Sequence, residues 1–369
     1  MDRGNAPPLR SVLFVAGDQP ADLERAWASG ADSVVIDLEE PRTPFPESAR
    51  EAARRGVRTF LDGIDPAVAR PLRFVRVQPP ASGQTLKDLR AAIGPTLDGI
   101  LVPKVRGPES IHAIDALLAC MEAEAGLPIG SVAVYPILET AAAIRLAYDI
   151  ATASPRVAFM GGAVSRFGDL HQALGYRWTA EGRETLFLRS KVLVDARAAG
   201  IRYPISGMWG GDRDDVAGLR AWATQLRDLG YYGMMLGDPL HLPLVHEVFT
   251  PTPDEIAYWQ DLDRLARDAE AGGGERVTYG DARQGEGHVV HIAHVGSARR
   301  NLAWARELGV APYRSPDGWP GGRTERRRGR GAVDSRRATR AVSATHPETG
   351  LRPAAAPPAP RRRRGRLAR

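Results

Sequence analysis

The chain has 369 residues, of which 43% are hydrophobic and 25% are charged, and these values exclude a wholly disordered or a fibrous protein. The length suits two domains, or one large α/β barrel with extensions. The formal net charge is +6, but residues 311–369 contain 16 arginines and only 4 acidic residues, so the part of the chain before them is net acidic.

Eight short apolar runs, rich in β-branched residues, alternate with amphipathic segments through the first two-thirds of the sequence. Continuous apolar runs are typical of strands buried on both faces, as in a parallel sheet covered by helices. They predict an α/β fold, a (β/α)8 TIM barrel over residues 1–250, with a doubly wound sheet as the alternative. The predicted strands are residues 12–16, 33–39, 73–77, 99–103, 132–139, 157–162, 203–207 and 234–237.

Two further helical segments follow the eighth run. The first begins at Thr252 or Pro253 and carries Asp254 and Glu255 in its first turn, where negative charge is favourable beside the helix dipole. Because a complete barrel does not need these segments, we assign residues 251–311 to a C-terminal helical lid, or to an arm that packs on a neighbouring subunit.

The sequence changes character at Pro312. Residues 312–369 lack apolar periodicity and have too few hydrophobic residues to offset the entropy of ordering, so we predict a disordered, arginine-rich tail. Arginine runs attract nucleic acids and acidic membranes, but no aromatic residues interleave with them to stack on bases. We therefore expect neither nucleic acid nor a membrane as a partner.

Other features favour a cytoplasmic protein. No window approaches the roughly 20 apolar residues of a membrane span, and the N-terminus lacks the pattern of a secretory signal. The single cysteine, Cys120, can form neither an internal disulfide nor a cysteine-based zinc site, which favours a reducing compartment. Its position in the apolar pattern ALLACMEAEA predicts that Cys120 is buried.

Six predicted strand ends carry ionisable residues. In a (β/α)8 barrel the C-terminal ends of all strands meet at one mouth, where the active sites of enzymes with this fold lie. One polar residue at a strand end means little, but six such ends directed at one mouth indicate a functional site. In chain order the residues are Asp37, Glu39 and Glu40, Arg76, Lys104, Glu139, Ser165 with Arg166 and Asp169, and Asp238 with His241.

The acidic residues favour a magnesium site. Glu139 and Asp169 would follow adjacent strands, and two carboxylates with waters and substrate oxygens suit octahedral Mg2+. Zinc is poorly supported, because there is no thiolate pair and His288, His291 and His294 would not all share one helix face. The sequence also lacks the glycine-rich motifs that bind nucleotide phosphates.

Two basic residues have alternative interpretations. Arg76 lies in the strand pattern FVRV, whose alternation directs its side chain into the barrel, where a buried arginine needs a partner. That partner is either an acid such as Asp37, or a carboxylate or carbonyl of the substrate. Lys104 could extend to solvent, bind substrate or form a Schiff base, although the last role would leave the metal acids redundant. We predict that Arg76, Lys104 and Glu139 bind substrate.

An ordered series of motifs resembles the family of citrate lyase β-subunits and malyl-CoA lyases, within the wider HpcH/HpaI aldolase superfamily. The motifs lie between about residues 9 and 310 and include RSVLFVAGDQP, GADSVVIDLEE, RFVRVQ, DGILVPKV, PILETAAAI, RVAFMGGAVSRFGD and EVFTPTPDEI. Single motifs are weak evidence, but their common order is specific. The resemblance does not extend into the tail.

The resemblance implies a (β/α)8 barrel that uses Mg2+ to cleave or form a C–C bond next to a thioester or keto group. It implies two metal ligands, Glu139 from PILET and Asp169 from the end of the sixth-strand motif. It makes Arg76 the residue that steadies the carbonyl and enolate oxygen, with Gln78 in place of the family's asparagine. Asp37 matches the first acid of the family's LDLED motif and is a further predicted catalytic residue.

The chain departs from the family's pattern at two motifs. The last barrel strand runs into LGDPLH, where the family has an IHP motif. In the C-terminal segment His291 stands where the family carries the acid of a GxxVDxAxV motif, which acts as an acid or base near the acyl group. Histidine also transfers protons near neutral pH, so His291 is a predicted catalytic residue. The resemblance further implies a homo-oligomer, often a trimer, in which this segment covers a neighbour's active site.

Three functions remain open at this point. The leading one is a Mg2+-dependent aldol or Claisen-type C–C lyase, of the oxo-acid-lyase type, acting on a small 3-hydroxyacyl-CoA such as a citryl-, malyl- or citramalyl-CoA-like ester. The second is a metal-dependent aldolase for a 2-keto acid such as pyruvate, without CoA. The third is a barrel that has lost catalysis and binds an acyl-CoA. Detectable CoA affinity would separate the first two.

Overall fold

The computed structural model describes residues 1–41, 45–162, 164, 166–272, 278–280 and 287–310. The predicted tail and Ser165 lie outside the described residues. Across the described ranges, no helix combines the length and the apolar character that crossing a bilayer requires.

Eight parallel strands form the central sheet, and each overlaps one of the predicted apolar runs, although β6 and β7 are only two residues long. They are β1 (Ser11–Ala16), β2 (Ser33–Asp37), β3 (Leu72–Arg76), β4 (Gly99–Val102), β5 (Ala133–Leu138), β6 (Gly161–Gly162), β7 (Ile205–Ser206) and β8 (Gly233–Leu236). Hydrogen-bonded neighbours follow the order β6-β5-β4-β3-β2-β1-β8-β7.

The two edges of this sheet meet between β6 and β7. The backbone N–H of Ile205 donates to the carbonyl oxygen of Met160 at 3.2 Å. A Cβ atom on Gly161 would lie only 1.6 Å from the carbonyl oxygen of Ile205, so this approach of the two strands requires glycine. The predicted (β/α)8 barrel is therefore confirmed.

Helices follow the strands and cover the outside of the barrel. They are α1 (Pro20–Trp27), α2 (Glu47–Asp62), α3 (Thr85–Ala92), α4 (Pro108–Glu124), α5 (Ala141–Arg145), α6 (Ala147–Thr152), α7 (Asp169–Leu174), α8 (Leu186–Ala198), α9 (Val216–Leu229) and α10 (Leu242–Val248), with α11 (Pro253–Ala271) and α12 (Ile292–Glu307) after the barrel. A short antiparallel pair, β9 (Thr278–Gly280) and β10 (Gly287–Val289), lies between α11 and α12. The predicted start of α11 is confirmed by a capping box between Thr252 and Glu255.

Side chains that alternate along the strands fill the barrel interior. The rings of Phe74 and Phe159 meet edge to face at 5.4 Å, and Tyr135 stacks on Phe159 at 5.9 Å. Val12, Val35, Leu101, Ile205 and Met235 complete this buried cluster. The interior is therefore a packed core, and the polar residues at the strand ends stand on an apolar floor.

Helices α11 and α12 pack against each other and on the end of the barrel opposite the mouth. Trp304 of α12 contacts Tyr232 at 5.0 Å between ring centroids, and Tyr232 contacts Tyr203 at 5.0 Å. Tyr232 directly precedes β8 and Tyr203 lies two residues before β7, so they mark the N-terminal ends of these strands. These contacts do not bring the helix pair over the mouth of its own barrel, and the predicted lid role concerns a neighbouring subunit.

The prediction that Cys120 is buried is wrong. The thiol is exposed on α4, whose buried face carries Ile111, Ile114 and Leu118. These residues follow helical spacing, and Cys120 falls outside that stripe. The apolar composition of the segment did not specify which residues face the core.

A half-buried histidine on α10 makes the stability of the barrel depend on pH. Nε2 of His246 lies 2.8 Å from Oγ of Ser11 at the base of β1. Burial lowers the pKa of His246, and the charge of Arg10 lowers it further, while Asp32 opposes the shift. The unfolded chain therefore binds a proton below about pH 6.5 that the folded chain excludes.

We expect the free energy of unfolding to fall as the pH drops from about 7 to about 5, and His246→Gln to make this fall smaller. Urea unfolding at both pH values measures the slope. His112→Gln, on the exposed side of α4, is the control and should leave the slope unchanged. Equal slopes for the wild type and His246→Gln would show that His246 does not carry the effect.

Candidate active site

Asp37 and Arg76 form the centre of a polar cluster at the mouth. They end β2 and β3 and are paired in the sheet register. Nε and Nη2 of Arg76 donate to the two carboxylate oxygens of Asp37 at 2.8 and 2.6 Å. The guanidinium also lies over the ring of Phe14, 5.2 Å from its centroid. The sequence predicted either an acid such as Asp37 or a substrate group as the partner of Arg76, and the structure shows Asp37.

Glu39 bridges the two cations of the mouth. One carboxylate oxygen lies 2.8 Å from Nη1 of Arg76, and the other lies 3.0 Å from Nζ of Lys104. The oxygen near Lys104, Oε1, is buried and accepts no well-aligned hydrogen bond from the described residues. Burial raises the pKa of Glu39, although Arg76 and Lys104 oppose the shift. The amide of Gln78 donates to the carbonyl oxygens of Leu38 and Glu39 and so fixes the turn after β2.

Lys104 lies among carboxylates rather than extending into solvent. Its Nζ is 3.8 Å from Asp169 and 3.9 Å from Glu40, in addition to Glu39. Burial acts to lower the pKa of Lys104, but Glu39, Asp169 and Glu40 together outweigh it and the pKa is raised. A lysine held as the ammonium ion is a poor nucleophile, so this environment disfavours the Schiff-base interpretation.

The backbone at Lys104 directs an N–H group at Glu139. Lys104 has a φ of 52°, a left-handed conformation that non-glycine residues rarely adopt and that is often found at functional sites. Its N–H donates to Oε1 of Glu139 at 2.7 Å. Thr140 caps α5 and donates to the carbonyl oxygen of Val105 at 3.0 Å, which ties the ends of β4 and β5 together. Burial raises the pKa of Glu139 to about 7, with a further contribution from the charge of Glu39.

Carboxylates outnumber cations at the mouth. Asp169 is the first residue of α7, and its side chain is 41% exposed. Within the described ranges no group of three or more His, Cys, Asp or Glu residues is spaced to enclose a metal. Mg2+ commonly binds one or two carboxylates and completes its shell with water and substrate oxygens. The charge imbalance and the oxygen-only donors Glu139 and Asp169, which share Lys104 as a neighbour, fit such an ion.

Asp238 and His241, which follow the eighth predicted strand, pair with the loop after β7 and not with this cluster. Asp238 accepts a hydrogen bond from the N–H of Leu240 and forms an ion pair with Arg213. Nε2 of His241 lies 2.9 Å from the carbonyl oxygen of Arg213. Asp238 and His241 therefore hold the loops after β7 and β8 together.

His291 is exposed at the start of α12. Its backbone N–H donates to Nδ1 of His294 at 3.3 Å, and the two rings lie 5.5 Å apart. His288 belongs to β10, so the three histidines do not lie on one helix. In the described parts of a single chain, no contact joins His291 to the mouth. Its catalytic role stays a prediction that requires a second subunit.

Glu39 is the site residue that the sequence did not assign. Glu39 is among the acids after the second predicted strand, but metal binding and substrate binding were predicted for other residues. The available signal was its spacing from Asp37, because residues two apart on a strand share a face. Extending that alternation beyond the strand would have placed both acids beside Arg76.

This arrangement defines an α/β barrel with a cluster of charged residues at the C-terminal ends of the strands. Comparison with known families identifies it further: residues 10–239 match the family model of the HpcH/HpaI aldolase/citrate lyase domain. The chain therefore belongs to this family, and the family predicted from the sequence is confirmed.

Curated relatives cover most of the chain. A (3S)-malyl-CoA thioesterase of Cereibacter sphaeroides is 31% identical over 304 residues, which is 82% of this chain and 96% of that protein. The citrate lyase subunit beta of Leuconostoc mesenteroides is 29% identical over 264 residues, 72% of this chain and 84% of that protein. A crystal structure of CitE from Mycobacterium tuberculosis with magnesium, acetoacetate and coenzyme A has a TM-score of 0.59 and 22% identity, and covers 82% of this chain and 99% of that one. This last similarity supports the fold.

Proposed function

We propose that the protein is a Mg2+-dependent C–C lyase that acts on a small 3-hydroxyacyl-CoA ester of the malyl or citryl type. The observation that carries the proposal is the buried cluster at the mouth, in which an arginine, a lysine and an excess of carboxylates stand on a closed apolar floor. Family membership supports it, as does an L-malyl-CoA/beta-methylmalyl-CoA lyase of Cereibacter sphaeroides that is 28% identical over 79% of this chain.

Glu139 and Asp169 would hold the magnesium ion. Both offer carboxylate oxygens, both neighbour Lys104, and Glu39 adds a buried oxygen without a well-aligned donor among the described residues. When bound, a divalent cation polarises substrate oxygens and stabilises the negative charge that develops in the reaction. Burial raises the pKa of Glu139 and the charge of Glu39 adds to the shift, so a nearby cation would favour the ionised carboxylate.

Arg76 would bind the carbonyl oxygen on which negative charge develops as the C–C bond breaks. A guanidinium has five N–H donors on three nitrogen atoms, and Asp37 and Glu39 contact each nitrogen once, which leaves two N–H groups. The remaining N–H groups are available to substrate, because the side chain is 18% exposed at the mouth. Donors positioned in advance in this way typically contribute a few kcal/mol each. Asp37 and Glu39 fix the orientation of Arg76 and keep it charged.

A second candidate function is hydrolysis of the thioester. It is supported by the similarity to the (3S)-malyl-CoA thioesterase, of which this chain covers 96%. The same mouth would bind the same class of ester, but water would add to the thioester carbonyl carbon, the C–S bond would break, and the CoA sulfur would leave as the thiol by taking up a proton from that water. The products distinguish the two functions, because hydrolysis leaves the carbon skeleton of the acid intact.

The deciding experiment incubates the full chain and Mg2+ with malyl-CoA and identifies the products by chromatography. We expect acetyl-CoA and glyoxylate, formed only when Mg2+ is present. Free malate and CoA would support the thioesterase instead. Turnover of a 2-keto acid aldol without any use of CoA esters would favour the CoA-independent aldolase and contradict both.

We also propose that the working form is a homo-oligomer in which His291 completes a neighbour's site. The contact of Trp304 with the barrel end opposite the mouth supports this, as does the lack of any contact between His291 and the mouth cluster among the described residues. Mixing His291→Ala with Glu139→Gln subunits should then restore part of the activity that each variant lacks, whereas the separate variants should stay inactive. No recovery in mixtures shown to exchange subunits would contradict the shared site.

A further inference from the structure

A cluster of aromatic and cationic side chains lies on the rim of the mouth, in the loops that follow β6 and β7. We define the Arg166 cluster as Arg166, Phe167, Trp178, Trp209 and Gly210. The guanidinium of Arg166 lies 5.0 Å from the ring centroid of Phe167 and 5.6 Å from that of Trp178. The rings of Trp178 and Trp209 are 5.6 Å apart. The guanidinium is therefore held against two rings.

The cluster contains hydrogen-bond donors without acceptors. Among the described residues, the guanidinium of Arg166 has no carboxylate or carbonyl partner, and the buried indole N–H of Trp178 has none either. A Cβ atom on Gly210 would lie 2.8 Å from the backbone N of Arg166 and 2.9 Å from Nε1 of Trp178. Glycine at this position therefore allows both groups to approach the same point. The indole N–H of Trp178 is thus a buried donor without an acceptor, which is unfavourable, whereas the exposed guanidinium of Arg166 is open to solvent and to ligands.

Arginines that only hold loops together in this barrel behave differently. Arg189, beneath the same rim segment, donates to the carbonyl oxygen of Gly182 and to the side chain of Gln225, each at 2.6 Å. Arg73, near the start of β3, likewise forms an ion pair with Asp98. Among the described residues, the side chain of Arg166 contacts aromatic rings alone, which orient the planar fork and leave its N–H groups available to a ligand.

The position of Arg166 links the cluster to the mouth. It precedes Asp169 by three residues, a separation that no chain can extend beyond about 11 Å. Asp169 itself lies 3.8 Å from Nζ of Lys104. The side chain of Phe167 is 84% exposed, so the ring platform faces outward rather than into the core. A substrate that occupies the mouth can therefore reach Arg166 with a group distant from the reacting carbons.

We propose that the Arg166 cluster binds an anionic group of the substrate, and that Arg166 is a specificity-determining residue. The ligand chemistry is an oxyanion that can accept two parallel hydrogen bonds, either a carboxylate of the acyl part or a phosphate of the CoA part. That this anion belongs to the substrate rests on the proposed function. Anion binding itself rests only on the geometry of the cluster.

The test is a binding titration of the full chain with L-malate and, separately, with CoA. Calorimetry and the fluorescence of Trp178 and Trp209 measure the binding. Arg166→Gln should raise the Kd of one of these probes about tenfold or more. Loss of malate binding alone identifies a carboxylate as the bound anion, and loss of CoA binding alone identifies a phosphate. Mg2+ affinity should stay unchanged in Arg166→Gln, because Glu139 and Asp169 are intact.

Arg183→Gln is the matched control. Arg183 is exposed in the same rim segment, so its loss removes the same charge without touching the cluster. We expect its effect on either Kd to stay within about twofold. The proposal is overturned when Arg166→Gln binds both probes as the wild type does, when the wild type binds neither, or when Arg183→Gln weakens binding equally. A wild type without lyase activity but with anion binding that depends on Arg166 would overturn only the proposed function.

Discussion

Glu139→Gln and Asp169→Asn should each remove tight Mg2+ binding and lower the C–C lyase activity about 100-fold or more. Each change replaces a charged oxygen donor with an amide while preserving the shape of the side chain. Both residues follow barrel strands at the mouth, where they contribute little to the core, so the fold should persist. Calorimetric Mg2+ titration and initial rates at saturating substrate measure the two effects, and circular dichroism checks the fold.

Glu40→Gln provides the control for the loss of a negative charge from the same mouth. The side chain of Glu40 is 64% exposed and lies 3.9 Å from Nζ of Lys104, so it contributes to the local charge without being a predicted ligand. Its loss should change Mg2+ affinity only a few-fold, as expected for a long-range electrostatic effect. A Glu139→Gln protein that binds Mg2+ as well as Glu40→Gln does would remove Glu139 from the ligand set.

The barrel could be predicted because its strands carry an unambiguous signal. Residues 33–37, 99–102 and 133–138 are buried along their whole lengths, which is why each appears as a continuous apolar run. No comparable apolar run predicts the closure of the sheet into a barrel. This closure depends on the contact of Gly161 with Ile205, between strands of two residues each, and a glycine pair carries no hydrophobic signal.

The site was predictable only where strand geometry determines it. Alternation directed Arg76 inward and placed Asp37 beside it in the neighbouring strand, and the structure pairs the two. The Arg166 cluster could not be predicted, because Trp178 and Trp209 are separated by more than thirty residues and meet through irregular loops. The location of α12 also depends on long-range packing, here of Trp304 on Tyr232. Sequence periodicity identifies a helix but not the surface that it meets.

Replacing the central guanidinium should be the most destabilising change at the mouth. In Arg76→Met the carboxylates of Asp37 and Glu39 stay buried, with 6% and 2% of each residue exposed, and lose their main cation. Removing one partner of a buried ion pair typically costs about 3–5 kcal/mol in the free energy of unfolding. Urea unfolding at pH 7 measures this cost. Arg220→Met, which removes an exposed partner of Glu247, should leave the free energy of unfolding nearly unchanged.

The pH dependence of this loss identifies its cause. Without Arg76, the buried carboxyl groups can avoid an unpaired charge by taking up protons, and burial already raises the pKa of Glu39 in the wild type. As the pH falls toward about 4, the difference in unfolding free energy between the wild type and Arg76→Met should therefore shrink. A difference that stayed constant between pH 7 and pH 4 would attribute the loss to the packing of the side chain on Phe14 instead of to the charge. Arg76→Met should also lack lyase activity at pH 7 while still binding Mg2+, because neither Glu139 nor Asp169 depends on Arg76 for its position.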